Sequence, residues 1–402
     1  MKFIHAADLH LDTPFSGLEQ TSRELAKKLR AAPFESLANI VDQALAEAVE
    51  FVLLAGDLYN TQRVNIKAQS LFIDQLDRLD EAGIPVFLIR GNHDFSTADS
   101  ETLSLPFPNN VYTYSEEVQT HVVEIKSGER VAVTGFSYDK QWIFDRKIAE
   151  YPSRRADVDL HIGMLHGSLE GMQTKEANYA PFSVSELRTK NYDYWALGHI
   201  HQREKLSDSP PVYYSGNIQG LHKNEPGEKG CLLVEWSTRG YQVEFISTAP
   251  LIWDGLTVEL TQVQNISELF EAIRVEIADK NYQQDVLLHL TLRATADYNE
   301  RIVKFVQRQE FGEQLSKQLK LDHIWFASVA FQLEESTDTQ TLEKLYPEMW
   351  DKVLQQTKEA DNFHEMTEQI FDQIPSKYLN QINDEAYRQE MIEKAIAKIL
   401  LK

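Results

Sequence analysis

A chain of 402 residues with 42% hydrophobic and 25% charged residues is long enough for two or three domains and too apolar for wholesale disorder. Its single cysteine, Cys231, excludes intramolecular disulfides and a thiolate cluster, so any metal must be held by His, Asp, Glu or Asn. A formal net charge of −22 repels nucleic acid at long range, so a phosphodiester substrate would need bound cations, a local basic patch or a partner subunit to attract it.

No long uncharged apolar run occurs, and Met1-Lys2-Phe3-Ile4-His5 enters a polar motif too soon for a signal peptide, so a cytoplasmic protein is expected. The run Lys2-Phe3-Ile4-His5-Ala6-Ala7 reads as a buried strand delivering Asp8-Leu9-His10. Alternate residues of an extended loop point the same way, so Asp8 and His10 can converge while Leu9 turns into the core. Taken alone, the Asp-x-His pair reads more readily as structural, with Asp8 a cap or turn residue. Apolar residues at helical spacing predict a covering helix over 33–50. Phe51-Val52-Leu53-Leu54-Ala55 is a wholly apolar strand, as in sheets buried on both faces, and leads into Gly56-Asp57.

A second helix over 66–82 turns at Gly83-Ile84-Pro85 into a third strand ending in Arg90-Gly91-Asn92-His93-Asp94. Strand, helix, strand, helix, strand is an α/β layered pattern, which places ligands beyond the carboxyl ends of its strands. Arg90 reads as a phosphate contact or as a surface charge beside a turn. Shorter alternating strands over 111–114, 121–126 and 130–136 extend a sheet. Leu160-His161-Ile162-Gly163-Met164-Leu165 then ends in His166-Gly167, and Tyr194-Trp195-Ala196-Leu197 in Gly198-His199-Ile200-His201.

Beyond about residue 250 this pattern stops. Strands over 256–260, 286–293 and 323–333 and helices over 266–278 and 302–318 predict a small α/β unit. From Thr339 onward the sequence is helical, with apolar faces at Leu345, Met349, Trp350, Val353 and Leu354 and at Ile392, Ala395, Ile396, Ile399 and Leu400.

Any one histidine is more readily a satisfied core or surface residue than a ligand, and His5, His121, His161, His222, His289, His323 and His364 are read that way. The repetition at five strand ends is different. Asp8, His10, Asp57, Asn92, His166, His199 and His201 supply enough ligands for two metals sharing one carboxylate. Mixed oxygen and imidazole ligands suit Mn²⁺, Fe²⁺ or Zn²⁺ better than Mg²⁺. Two metals about 3.5–4 Å apart activate a bridging water and hold phosphoryl oxygens for in-line displacement, which is phosphoester hydrolysis.

In their order, Asp8-x-His10, Gly56-Asp57, Gly91-Asn92-His93-Asp94, Gly163-x-x-His166 and Gly198-His199-x-His201 resemble the calcineurin-like metallophosphoesterase signature, over roughly residues 1–250. The opening Phe3 to Asp12, the phrase Ala196 to His201, Tyr214-Ser215-Gly216-Asn217 and Glu228-Lys229-Gly230 resemble its DNA-repair exonuclease branch, the SbcD-like proteins, and most of all the Firmicute YhaO-type subgroup. The resemblance implies a two-sheet α/β/β/α sandwich with a small C-terminal α/β capping domain and terminal helices. The expected domains are a catalytic domain over 1–250, a capping domain over 251–336 and a helical partner-binding segment over 337–402. Carried over by position, Asp8, His10 and His201 would hold one metal and Asn92, His166 and His199 the other, with Asp57 bridging. The same resemblance makes His93 the general acid or transition-state stabiliser and Asp94 the residue that orients it.

The implied function is a two-metal phosphodiesterase hydrolysing DNA, most readily with Mn²⁺, as nuclease subunit of a complex with an SbcC-like coiled-coil ATPase. A homodimer is also among the expected assemblies. One departure stands out: Asn60 occupies the place, three residues after the bridging aspartate, where nuclease relatives often carry His or Asp. An amide cannot supply a proton at neutral pH, which leaves the exonucleolytic balance open. A phosphatase or small-nucleotide phosphodiesterase on the same fold, or a noncatalytic scaffold, are the alternatives; the capping unit disfavours the first and the full ligand set the second.

Overall fold

In this computed structural model the described residues are 1–334 apart from 15–22, 62–64, 97–104, 173–178, 261–262, 283, 296–299, 307, 309–310, 320 and 322. The expected helical segment over 337–402 lies outside them.

Alternation along the N-terminal strands decides which layer each side chain enters. In β1 (Lys2–Ala6), Ile4 and Ala6 join one core and Phe3 the other; in β2 (Phe51–Ala55), Val52 and Leu54 join the first, and Phe51, Leu53 and Ala55 the second. The first sheet adds β3 (Val86–Ile89), β4 (Val111–Thr113), β11 (Gly230–Ser237) and β12 (Gly240–Ser247), in the order β12-β11-β1-β2-β3-β4. Strands β1 to β4 run parallel, and β11 closes antiparallel on β1.

The second sheet contains β5 (Gln119–Glu124), β6 (Arg130–Gly135), β7 (Leu160–His166), β8 (Tyr194–Gly198), β9 (Glu204–Asp208) and β10 (Pro211–Tyr214), in the order β5-β6-β7-β8-β10-β9. Its four inner strands are parallel. Between the sheets, Phe3 stacks on Phe51 at 4.8 Å amid Phe87, Val133, Ile162 and Met164.

The outer face of the first sheet is covered by α1 (Arg23–Ala46) and α2 (Ile66–Glu81) through Ile40, Val41, Ala44, Phe72 and Leu76. On the outer face of the second sheet lie Leu165, Trp195 and Leu197 with Tyr138, Phe182 and Leu187, the last on α3 (Val184–Thr189). A capping box between Ser183 and Glu186 starts α3. Helix, sheet, sheet, helix is the expected sandwich.

Three local readings differ from expectation. Helix α1 begins at Arg23, not at Pro33, which lies inside it. Residues 23–32 are mostly strong helix formers, and burial of Leu25 and Leu29 extends the apolar stripe through the proline; packing outweighs the lost hydrogen bond that a helical proline usually costs. Strands β9, β10 and β12 and the short α3 had no prediction; β12 alternates exposed residues with partly buried ones such as Tyr241, Val243 and Phe245, and none of its residues is fully buried.

The helix expected over 302–318 is two, α5 (Glu300–Val306) and α6 (Phe311–Leu319). On a continuous helix Phe305 and Phe311 would lie about 120° apart; the break brings both rings to Phe270 of α4 (Ile266–Lys280), at 6.3 and 6.4 Å. Those helices accompany a three-stranded sheet of β13 (Leu251–Glu259), β14 (Asp285–Thr295) and β15 (Ile324–Glu334). By contacts the chain forms two units: Met1–Asp254 with Gln283–Leu287 and His323–Trp325, and Gly255–Tyr282 with Leu288–Asp322 and the described residues from Phe326 on. Among the described residues no helix is long and apolar enough to cross a membrane.

Candidate metal centre

The carboxyl ends of parallel strands from both sheets supply every expected site residue: Asp8 follows β1, Asp57 follows β2, Asn92 follows β3, His166 ends β7, and His199 follows β8. The loops after β1 and β2 run side by side, with Asp8 N, His10 N and Leu11 N donating to the carbonyls of Gly56, Asp57 and Leu58 at 3.0–3.1 Å. Turning so sharply forces positive φ on Asp8, His10, Asp57 and His199, at 51°, 44°, 49° and 95°. Left-handed backbone is unfavourable for such residues, and strain of this kind gathers where geometry serves a ligand.

Glycines admit the ligands. A Cβ on Gly91 would stand 2.2 Å from Asp57 Oδ1 and 2.6 Å from His166 Nε2; one on Gly56, itself at φ +96°, would stand 2.3 Å from His166 Nδ1. Neither position can carry a side chain without displacing the site.

Seven predicted ligands meet there. His10 Nε2 and His201 Nε2 approach to 3.0 Å, and with Asp8 they form one group whose donor atoms lie within 4.8 Å of one another. Asp8, Asp57 and His166 form a second such group. Asn92 Oδ1 joins it, 3.1 Å from His166 Nε2 and 3.2 Å from His199 Nδ1. Asp57 Oδ2 stands between the two, 3.3 Å from His166 Nε2 and 3.8 Å from His10 Nε2. Asp8 also accepts from His199 N at 2.9 Å.

His166 Nδ1 donates to the Ala55 carbonyl at 3.0 Å, so the proton that a cation would displace is the one on Nε2, which faces Asp57 Oδ2 at 3.3 Å. Buried His10 Nδ1 has no hydrogen-bond partner among the described residues. Burial pushes the Asp8 carboxyl up to about 6, and Asp94, buried beside Asp57, up to about 7. Burial opposes charge on Asp57 and His166 as well, but their attraction prevails, holding Asp57 well below the usual carboxylate range and His166 up at about 9. Buried carboxylates facing imidazole nitrogens are a nitrogen and oxygen donor set that fits borderline divalent cations.

His93 stands beside this set. Its main-chain N donates to Asp57 Oδ1 at 3.0 Å, its ring lies edge-on to His10 at 5.0 Å, and its Nδ1 donates to the carbonyl of Asn60 at 3.2 Å. The orienting role expected of Asp94 is therefore corrected. Asp94 spends its two oxygens on Gly91 N at 2.8 Å and Leu58 N at 3.0 Å, tying the loops after β3 and β2 together. Asn60 holds His93 through the main chain, which any residue at that position would supply; Asp12 secures Asn60 N in turn at 2.6 Å.

Sequence reading missed Glu225. This buried carboxylate accepts from His201 Nδ1 at 2.6 Å through Oε1, and from Asn217 Nδ2 at 2.9 Å and Leu221 N at 2.7 Å through Oε2. Asn217 had been singled out in its motif without a role, whereas Glu225 lies in a loop with no periodic pattern. His5, read as structural, is buried between the Tyr194 hydroxyl and the Leu197 carbonyl, both at 3.1 Å, and burial pushes it down to about 3.

The calcineurin-like phosphoesterase family model matches residues 1–203. An uncharacterised metallophosphoesterase of Bacillus subtilis, YhaO, is 37% identical over 299 residues, spanning 74% of this chain and 72% of that protein. The DNA double-strand break repair protein Mre11 of Methanocaldococcus jannaschii is 24% identical over 293 residues, spanning 70% of each chain. Its namesake from Sulfurisphaera tokodaii is 23% identical over 322 residues, spanning 76% of this chain and 77% of that protein. A match of that extent, over the strand ends where the donor atoms converge, shows that this chain belongs to the calcineurin-like phosphoesterase family, whose members are metal-dependent hydrolases.

Proposed function

We propose that the protein is a two-metal phosphodiesterase that hydrolyses DNA, an SbcD-like nuclease working with an SbcC-like coiled-coil ATPase in DNA repair. The observation that carries the chemistry is buried Asp57, which belongs to the second donor group and reaches His10 of the first at 3.8 Å, with His93 beside it. Similarity to two Mre11 proteins supports DNA as the substrate. Asp8, His10 and His201 would hold one cation, and His166, Asn92 and His199 the other, with Asp57 shared; Mn²⁺ is our choice for the native metal. Bound there, such cations would acidify a water and neutralise the charge of phosphoryl oxygens.

The chain's own residues do the rest. Asp57 and Asp8 fix the rings by charge, while the Ala55 carbonyl and Glu225 fix their tautomers. The Asn60 carbonyl holds His93 Nδ1–H, so that Nε2 of the imidazolium can pass its proton to the departing alkoxide. Purified protein with Mn²⁺ should degrade linear DNA, and a side-by-side assay on linear DNA, circular single-stranded DNA and a chromogenic diester tests this. Hydrolysis of the chromogenic ester with both DNAs left intact would favour the small-substrate alternative.

The ATPase partnership is motivated by the apolar residues that the sequence spaces at helical intervals after Thr339. Deleting that segment should abolish co-purification with an SbcC-like ATPase while metal binding persists; unchanged recovery would count against it.

A further inference from the structure

A cleft of about 740 Å³ opens where β3, β4 and β6 end; Arg90 lines it, and so does Tyr138, whose hydroxyl donates to the His166 carbonyl at 2.8 Å. A volume of that order is typical of ligand pockets. Arg78, Arg146, Arg154 and Arg155 each pair with a carboxylate at 2.5–3.0 Å, but Arg90 makes no ion pair among the described residues. An unpaired, half-buried guanidinium is unexpected in a chain of net charge −22. It lies directly before Gly91-Asn92-His93-Asp94 and is close enough for its charge to act on Asp94 and Tyr59.

Ser115 and Ser137 are among the hydroxyl residues that line the cleft. Ser137 Oγ accepts from Arg90 N at 3.0 Å and Ser115 Oγ from Glu117 N at 3.3 Å, and neither hydroxyl hydrogen has a protein acceptor among the described residues. Each therefore keeps one donor to offer. A part-exposed Phe107 gives the same cleft an apolar wall.

Resting on the nuclease reading above, we propose that this cleft seats the backbone phosphate next to the scissile one in a nucleic-acid strand. Arg90 is its charged contact, and Ser115 and Ser137 are added donors. The exposed carboxylates of Glu116 and Asp139 also line the cleft. They disfavour a free anion, so the phosphate it takes is one carried in on a strand already gripped at the metal centre.

The test is binding of a cleavage-resistant phosphorothioate-linked single-stranded oligonucleotide to the full chain loaded with Mn²⁺, across a salt series. Arg90→Ala should weaken binding about ten-fold, the scale of a charge-assisted contact, and make the slope of log affinity against log salt shallower by about 0.7. Arg90→Lys should recover part of this, keeping the charge but losing the planar fork. Inorganic phosphate should compete equally poorly against wild type and Arg90→Ala. Unchanged affinity and slope in Arg90→Ala would overturn the subsite alone. Loss of Mn²⁺ affinity in that variant would also overturn it, by showing that Arg90 merely props the loop. Wild-type protein that fails to bind the oligonucleotide at all would sink the nucleic-acid reading, and the subsite with it.

Discussion

His93→Ala is expected to slow Mn²⁺-dependent DNA cleavage by about 10²–10⁴-fold, the usual contribution of a placed general acid, while metal stoichiometry stays at the wild-type value. The two halves of that outcome follow from different atoms. The side chain belongs to neither group of converging donor atoms, and its ring is held by a carbonyl, not by a carboxylate. The main-chain N, which bonds Asp57 Oδ1, survives the substitution, so the shared carboxylate keeps its orientation.

A leaving-group comparison separates proton donation from charge stabilisation. A nitrophenolate departs without a proton, whereas the sugar alkoxide of DNA needs one; a general acid therefore matters less for the chromogenic ester. The variant should lose more on DNA than on that ester. Equal losses would assign His93 to holding the phosphoryl oxygens, and undiminished DNA turnover would remove it from the reaction.

The candidate site residues were legible because their donor atoms converge at the ends of buried parallel strands. Such strands appear as unbroken apolar runs, and a polar residue that ends one has nowhere to go but the loop beyond it. Asp57 after Phe51-Val52-Leu53-Leu54-Ala55 and His166 after the β7 run are examples. What could not be read is what loops contribute through their main chain. The Asn60 carbonyl on His93 and the Ala55 carbonyl on His166 leave no trace in side-chain identity.

Adjacency also misled where the backbone turns. Asp94 follows His93 in sequence, yet its oxygens bond Gly91 N and Leu58 N. Helix α1 shows the matching limit on local rules: Pro33 marks a start by propensity, but the buried Leu25 and Leu29 carry the helix across it.

Glu225→Gln is expected to weaken Mn²⁺ binding about 10–100-fold, the scale seen when a ligand's supporting partner is removed, although Glu225 belongs to neither donor group. The carboxylate serves three donors, His201 Nδ1 on one oxygen and Asn217 Nδ2 and Leu221 N on the other. An amide of the same shape has one oxygen and one NH₂. If its oxygen faces His201, the NH₂ confronts two donors in a buried loop. If its oxygen faces Asn217 and Leu221, the NH₂ meets His201 Nδ1, which must then give up its hydrogen. The proton moves to His201 Nε2, the atom that lies 3.0 Å from His10 Nε2 and would face the cation.

Either outcome penalises the metal-loaded state, one through the loop and the other through the tautomer. The His201 ring-nitrogen chemical shifts tell them apart: a proton on Nε2 marks the tautomer route, and a retained Nδ1–H with a loosened 217–225 loop marks the other. His201 holds its charge on Glu225 firmly; against the cost of burial it keeps that carboxyl down at about 2. The contact is short, at 2.6 Å, and Glu225→Asp, which keeps the carboxylate but withdraws it by a methylene, should fall between wild type and Glu225→Gln. Mn²⁺ titration by calorimetry gives the ranking, and a Glu225→Gln protein with wild-type affinity would show that His201 is aligned by its own packing alone.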